Sequence, residues 1–372
     1  MVLNRLSLVH FRNLAQTTLN FHPGINLVVG GNGQGKSNLL EAIGLLATGR
    51  SFRRSPPEAM RQHGSGGFHL QGEVHAHGLT HRLAFQGTGN RQMAELNGKS
   101  MAMASTMDRV LAAVLSTPDS PDLIHDGPGE RRNFLDWVVF SRQKRHAATV
   151  RDYQNALKAR NRLLKGTILD PGEMDAWEDR LAVLGAHILA SRLETLERLR
   201  KPFPHFLEEL GMDGAGFQIV YFNPLVLDGI RRDVEHLAQQ YRMALGRSRK
   251  ADHLTRTTSV GPHRDDLRFI HHDRPLGRFG SRGQKKRFLL ALKLAELHLL
   301  EETVQARPLL LLDDPASELD ADGMSRMLRL VSCPGQQAFI TAVKKADLSS
   351  PHLPHQTFHV QAGQFKPEYP QS

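Results

Sequence analysis

The spacing of apolar residues along the chain changes several times, and each change predicts a different kind of element. Near the start, Leu3, Leu6, Leu8 and Phe11 alternate imperfectly, and Thr18-Leu19-Asn20-Phe21 leads through His22-Pro23-Gly24 into the apolar run Ile25–Val29. Residues 1–29 therefore read as strands. From Ser37 to Ala47 the spacing becomes that of an amphipathic helix. Residues 67–100 alternate again around glycine-containing turns, with Phe68, Leu70, Val74, Leu83, Phe85 and Leu96 apolar, as antiparallel hairpins do. Beyond Pro118, Pro121 and Pro128 a helical period takes over. Val150, Tyr153, Leu157 and Leu164 mark one helix; Trp177, Leu181, Leu184, Ile188, Leu189, Leu193 and Leu196 mark a second, which Pro202 and Pro204 stop. Residues 216–228 read as a strand and turn, and 231–246 as a further helix.

Toward the end, Phe288–Leu297 predicts a strong helix and Leu309–Leu312 a central parallel strand buried on both faces. Ala338–Thr341 would be its neighbour, and the residues from about 363 read as a loose tail. No internal repeat is visible. The expected fold class is α/β, with a mixed sheet in a discontinuous first domain (1–118 and 255–372) and a mostly helical second domain (119–254).

One stretch carries chemistry at once. Gly30-Gly31-Asn32-Gly33-Gln34-Gly35-Lys36-Ser37 fits G-x-x-x-x-G-K-[S/T], and it sits between a predicted strand and a predicted helix, the context that motif requires. Glycines let successive backbone N–H groups turn inward around phosphate oxygens, and the helix start adds free donors and a favourable dipole. Lys36 would reach the β- and γ-phosphates of ATP, and the Ser37 hydroxyl would ligate Mg²⁺. Taken alone, such a stretch could be a glycine-rich turn. The apolar run ending in Asp313-Asp314 supplies the complement, because ligands of open α/β sheets sit at the carboxyl ends of strands. Asp313 would hold Mg²⁺, and Asp314 would orient the attacking water.

Composition narrows the setting. Hydrophobic residues make up 40% and charged residues 23%, as in globular proteins. No uncharged apolar run approaches the ~20 residues that cross a bilayer, and the first residues lack a signal-peptide pattern. Cys333 is the single cysteine, which excludes intrachain disulfides and multi-cysteine metal sites. A cytoplasmic protein without a membrane partner is expected. The formal net charge of +10 and pI near 9.9 suit a polyanionic partner, nucleic acid first. Between 142 and 165 the cations Arg145, Arg151, Lys158, Arg160, Arg162 and Lys165 crowd the sequence, and Arg242, Arg247, Arg249 and Lys250 form a second group. These are candidate phosphate contacts, with little sequence preference and steep salt sensitivity.

A third motif sets the subclass. Ser281-Arg282-Gly283-Gln284 before the Phe288 helix resembles the signature segment of the ABC-type ATPases, and Ser317-Glu318-Leu319-Asp320 resembles their D-loop. The resemblance implies a P-loop ABC-type ATPase head in which Ser281, Gly283 and Gln284 of one subunit close over ATP held by another, in a head-to-tail homodimer. Over nearly its whole length the chain resembles the RecF family of bacterial recombination mediators. The matching pieces include Phe11-Arg12-Asn13, Gly49–Arg53, Glu130-Arg131-Arg132, Arg160–Lys165 and Gly261–Leu267. Pro315 and Lys285-Lys286 depart from that family's usual residues. The resemblance implies a weak ATPase whose ATP-bound dimer holds DNA at single-strand/double-strand junctions. It also implies work with partner mediator proteins to load the recombinase at gaps, in repair, replication and the SOS response. An ABC transporter subunit and an SMC-like chromosome-structuring ATPase are the alternatives, but the latter needs a sustained heptad arm that the chain lacks.

Overall fold

The structure, a computed structural model, describes residues 1–53, 55–101, 110–117, 123–166, 170–225, 233–344 and 355–368. Pro118, Pro121, residues 226–228 and residues 231–232, where loop, turn and helix were expected, lie outside the described residues. The chain forms two compact units, one of residues 1–120, 205–214 and 281–372 and the other of 121–204 and 215–280. Residues 255–280, expected in the first domain, thus belong to the second unit.

In chain order the first unit begins with β1 (Val2–Val9), β2 (Thr17–Asn20), β3 (Ile25–Val29) and α1 (Lys36–Thr48). It continues with β4 (Gly67–Ala76), β5 (Leu79–Thr88), β6 (Arg91–Leu96), β7 (Lys99–Met101) and β8 (Ala113–Ser116). The second unit contains α2 (Pro128–Arg142), α3 (His146–Leu163), α4 (Pro171–Arg200), β9 (Phe217–Phe222), α5 (Val234–Thr255), β10 (Asp266–His271) and β11 (Arg274–Pro275). The first unit then resumes with α6 (Arg282–Val304), β12 (Leu309–Leu312), α7 (Ala321–Val331), β13 (Ala338–Ala342), β14 (His355–Gln361) and β15 (Gln364–Glu368).

Two sheets build the first unit. The hairpins form an antiparallel sheet in the order β2-β1-β4-β5-β6-β7, and its alternation buries Phe68, Leu70, Val74 and Ala76 of β4 on one face. The second sheet runs β15-β14-β3-β13-β12-β8; it is mixed, parallel from β14 to β8 with only β15 reversed. Every residue of β3, β12 and β13 is buried, as covered parallel strands require. α1 touches β4 and β5 of one sheet and β8 and β13 of the other. It is therefore not the amphipathic helix its spacing suggested: Leu39, Leu40, Ile43 and Leu46 are all buried, and so is Glu41. Glu41 is tolerated there because Arg12 pairs with both its oxygens, at 2.7 and 2.9 Å.

The expected loose tail is corrected by the C-terminal hairpin. Residues 364–368 pair antiparallel with β14, and β14 pairs in parallel with β3. Only Phe358 and Val360 of this hairpin are buried apolar residues, too few for a clear alternation.

The second unit packs α3, α4 and α5 around Tyr153, Leu181, Ile188, Leu189, Tyr241 and Leu245. β9 and β10 pair along their full lengths, which is why residues 255–280 stay with this unit. A buried polar cluster spans it. Arg192 grips Asp136 through two bonds of 2.7 and 2.8 Å and donates to the Pro262 carbonyl at 2.8 Å. Tyr221 donates to Asp265, which is fully buried.

Burial raises the Asp265 carboxyl to about 6, although Arg192 and the Tyr221 hydrogen bond oppose the shift. A folded pKa above the unfolded value of about 3.9 means the folded state holds a proton that the unfolded chain releases. The associated stability is therefore complete below about pH 4 and declines as pH rises through 6, by roughly 3 kcal/mol for about two pKa units. Asp265→Asn should flatten that decline in urea midpoints measured between pH 4 and 6.5; an unchanged slope would count against it.

Candidate nucleotide site

The sheet register assembles the site. Val29, the last residue of β3, pairs with Ala342 of β13, and Ile340 of β13 pairs with Leu312 of β12. The glycine loop and the two aspartates therefore leave the same edge of the sheet, one strand apart. Gly30 N–H holds the Ala342 carbonyl at 3.2 Å, and Asp313 N–H holds that of Ser116 at 2.9 Å.

The loop's shape demands its glycines. Gly33 and Gly35 have φ of 76° and 118°, in the left-handed region. A Cβ at Gly33 would meet nothing, whereas one at Gly35 would strike Leu14 at 2.6 Å. No side chain caps α1, so its first N–H groups stay open to an anion. The Lys36 ammonium donates to the carbonyls of Gly30 and Gly31 at 2.7 and 2.9 Å. Burial lowers its pKa, while Asp314 and Asp313 pull the other way.

A cavity of about 470 Å³ opens here, lined by Asn32, Gly33, Gly35, Lys36, Ser37, Asn38, Arg53, Asp313 and Asp314. Of the loop residues expected at the nucleotide, Gly30, Gly31 and Gln34 are not in its lining. Arg53 and Asn38 are, and the motif alone did not mark them. Their signal in sequence was only that Asn38 follows the motif's serine and that Arg53 lies in the polar, basic turn after α1. Arg53 donates to Asn38 at 2.7 Å, Asn38 to Asn13 at 2.7 Å, and Asn13 to the Gly33 carbonyl at 3.0 Å, a polar chain ending on the loop.

Thr341 fixes the acids. Its hydroxyl donates to Asp313 Oδ1 at 2.6 Å and accepts from Asp314 N–H at 2.8 Å. Asp314 has φ of 48°, a conformation aspartate tolerates better than most residues. Pro315 follows as the first residue of a short 3₁₀ turn, where its missing N–H costs nothing. The donor set fits Mg²⁺, which is usually held by one or two carboxylates, a hydroxyl and substrate phosphates rather than by an all-protein cage.

Ser281, Gly283 and Gln284 lie elsewhere. They open α6 with a capping box: Ser281 accepts from Gln284 N–H at 3.2 Å, and the Gln284 side chain accepts from Ser281 N–H at 2.8 Å. None of them lines the cavity above. Lys286 pairs with Glu318 at 2.9 Å and Arg287 with Asp320 at 2.6 Å, tying this helix start to the D-loop segment.

The family model for the RecF/RecN/SMC N terminal domain matches residues 2–366. The DNA replication and repair protein RecF of Magnetococcus marinus is 47% identical over 372 residues, covering 98% of this chain and 97% of that protein. Its counterpart in Symbiobacterium thermophilum is 35% identical, with 98% and 97% covered. The chain belongs to the RecF family. A solved structure of the recombination mediator protein RecF with ATP, in the RecFOR pathway, superimposes with a TM-score of 0.87 at 30% identity, covering 99% and 98% of the two chains. An Smc head domain from Pyrococcus furiosus aligns with a TM-score of 0.56 at 14% identity, covering 99% and 96%, which shows a shared fold. The first unit is thus an ABC/SMC-type ATPase head of the RecF family, accompanied by a mostly helical unit.

The cations expected on DNA separate into two groups. Arg145, Arg151, Lys158, Arg162 and Lys165 are exposed, with no ion pair among the described residues. Arg160 is not available: it is completely buried, donating to Glu178 at 2.9 Å, Asp252 at 2.8 Å and Thr258 at 2.9 Å. Its spacing did place it on the apolar face, three residues after Leu157 and four before Leu164, but the partners that satisfy it there were not visible in the sequence. Arg242 pairs with Asp179, and Arg249 with Asp175 and Glu178, which engages half of the second cluster. Among the described residues no helix is long and apolar enough to cross a membrane.

Thr341→Val removes the hydroxyl that orients both acids and leaves the Asp314 N–H unmet. A loss of about 1–3 kcal/mol in urea denaturation is expected, together with at least tenfold weaker Mg²⁺ dependence of nucleotide affinity by titration calorimetry, about 1.4 kcal/mol. Wild-type Mg²⁺ dependence in this variant would show that the acids need no such support.

Proposed function

We propose that this protein is an ATP-switched DNA-binding protein of recombinational repair and replication, dimeric when ATP is bound. ATP seats its phosphates on the loop, with N–H groups of residues 32–37 and the Lys36 ammonium as donors. Ser37 and Asp313 would hold Mg²⁺, which would supply positive charge against the phosphates. Asp314 orients the attacking water, and its carboxylate is one methylene shorter than the glutamate usual at that place. Slow hydrolysis, serving as a switch rather than as metabolic catalysis, follows.

One observation carries the dimer: Gly283. It sits in the first turn of α6, exposed, and a Cβ there would meet nothing within 4 Å. A helical glycine with no packing reason in its own chain costs about 1 kcal/mol relative to alanine. Close approach by an outside group explains it, and a nucleotide held by a second copy, against Ser281 and the open helix start, is that group. The cavity lined by Lys36 and Asp313 lacks the signature residues, which a second copy would then supply.

DNA meets the exposed cations of α3. Arg151, Lys158 and Arg162 follow one another at spacings of seven and four, on one helical face. They offer point charges without base-reading partners, which suits phosphate contacts on single- and double-stranded DNA alike. Binding at strand junctions, loading of the recombinase with partner mediator proteins and a place in the SOS response complete the reading.

ATP, not ADP, should convert the protein to a dimer in sedimentation velocity. Ser281→Arg and Gly283→Ala should bind ATP normally yet dimerise at least tenfold more weakly, about 1.4 kcal/mol; a Ser281→Arg protein that dimerises like wild type contradicts the shared site. On DNA, reversing Arg151, Lys158 and Arg162 together to Glu should lower the slope of log K against log salt by about 3, near 0.9 per phosphate lost. An unaltered slope in filter binding would remove this face from the DNA surface.

A further inference from the structure

The β14–β15 turn lies against the phosphate loop, and the contact is specific. Ala362 and Gly363 both adopt left-handed backbones, with φ of 49° and 74°, between the paired Gln361 and Gln364. This two-residue reversal leaves the central N–H groups outside the strand ladder. Both are taken by one residue of the loop: Ala362 N–H donates to Gln34 Oε1 at 2.6 Å, and Gly363 N–H to the Gln34 carbonyl at 3.0 Å. Gly363 is clamped on its other side, where its carbonyl accepts from Ala15 N–H at 3.0 Å and a Cβ would fall 2.1 Å from the Asn13 carbonyl oxygen. Gly30 meets the same hairpin, since a Cβ there would lie 2.4 Å from the Val360 carbonyl oxygen. The loop is thus wedged between the turn after β1 and the turn after β14.

We infer that Gln34 is a positioning residue, and that the C-terminal hairpin sets the shape in which the loop receives phosphate. This rests on the nucleotide reading above. The Gln34 side chain does not line the cavity; it closes a two-point contact behind the loop, holding the left-handed Gly33 and Gly35 in place before ligand arrives. Preorganisation of this kind acts on affinity: a loop freed from the hairpin must be ordered when nucleotide binds. The hairpin turn and the nucleotide are thereby linked, and by reciprocity bound nucleotide steadies the turn.

Gln34→Met keeps length and lacks the acceptor. In the full chain it should weaken ATP binding about five- to tenfold, the worth of one hydrogen bond, and the rise in KM for ATP should exceed the fall in kcat. Hydrogen exchange supplies a readout that a merely structural contact would not move. In wild type, ATP should slow exchange at the Ala362 and Gly363 amides; in Gln34→Met that slowing should vanish at Ala362, whose acceptor is removed, and weaken at Gly363, whose bond to the residue 34 carbonyl is kept. Wild-type affinity in the variant, with exchange at the turn still answering to ATP, overturns the inference. The wild-type exchange measurement stands alone if the variant fails to fold, and a turn indifferent to ATP there also overturns it. Lys36→Ala separates the two readings: an ATP affinity untouched by that change sinks the nucleotide site itself, whereas Lys36-dependent binding with an indifferent Gln34 sinks only the role of the hairpin.

Discussion

The order of three neighbouring parallel strands governs this molecule. β3 and β12 flank β13, and their carboxyl ends lie about 10 Å apart, two strand spacings. That separation lets a loop rich in backbone donors face a pair of carboxylates across a gap. A register slip by one residue would turn every side chain of the slipped strand to the opposite face. Four identical buried leucines in β12 carry no pattern against such a slip; the strand's end supplies it, since a shift would take Asp313 from the Ser116 carbonyl and the Thr341 hydroxyl. The chemistry of the site is a consequence of apolar strands that never touch a ligand.

Charge is distributed with the same economy. The protein is strongly basic, yet several of its arginines are turned inward, Arg160 and Arg192 buried and Arg12 partly so. Arg12 neutralises Glu41 beneath α1, Arg160 joins α3 to Glu178 and Asp252, and Arg192 joins α4 to Asp136. Removing one partner from such buried sets costs more than the set contributes, because a lone charge is left out of water. They act chiefly as registry pins for helices whose apolar faces alone would permit sliding. The cations that remain exposed on α3 carry the outward field. A count of lysines and arginines in the sequence overstates that field, since it does not separate pins from surface.

What could be read in advance was whatever is local. The glycine loop, the acids after an apolar run and the serine–glycine helix start are each contained within eight residues, and their chemistry follows from type and spacing. Helices of the second unit and the antiparallel hairpins were legible for the same reason. Features set by distant partners were not. α1 looked amphipathic because Ser37, Asn38 and Glu41 are polar, and only its packing against both sheets, with Arg12 reaching Glu41, explains its burial. Arg160 was grouped with Lys158 and Arg162 although it shares the helical face of Tyr153 and Leu164; what the sequence did not show was Glu178 and Asp252, on other helices, waiting to pair with it. β14 carries two apolar residues at the core, so its strand character comes from β3, more than three hundred positions earlier. The membership of residues 255–280 follows likewise from their pairing with β9.

That last pairing of β14 with β3 bears on how the chain is made. Contacts between residues so remote in sequence form late, since a very large loop must close first. During synthesis the amino-terminal half emerges with β3 lacking both of its neighbours, β13 and β14, and with the phosphate loop missing the turn that Gln34 contacts. Closing of this sheet therefore waits until residues 355–368 have left the ribosome. The growing polypeptide carries an open sheet edge through most of its passage from the ribosome, a stage at which holdase chaperones have an apolar target.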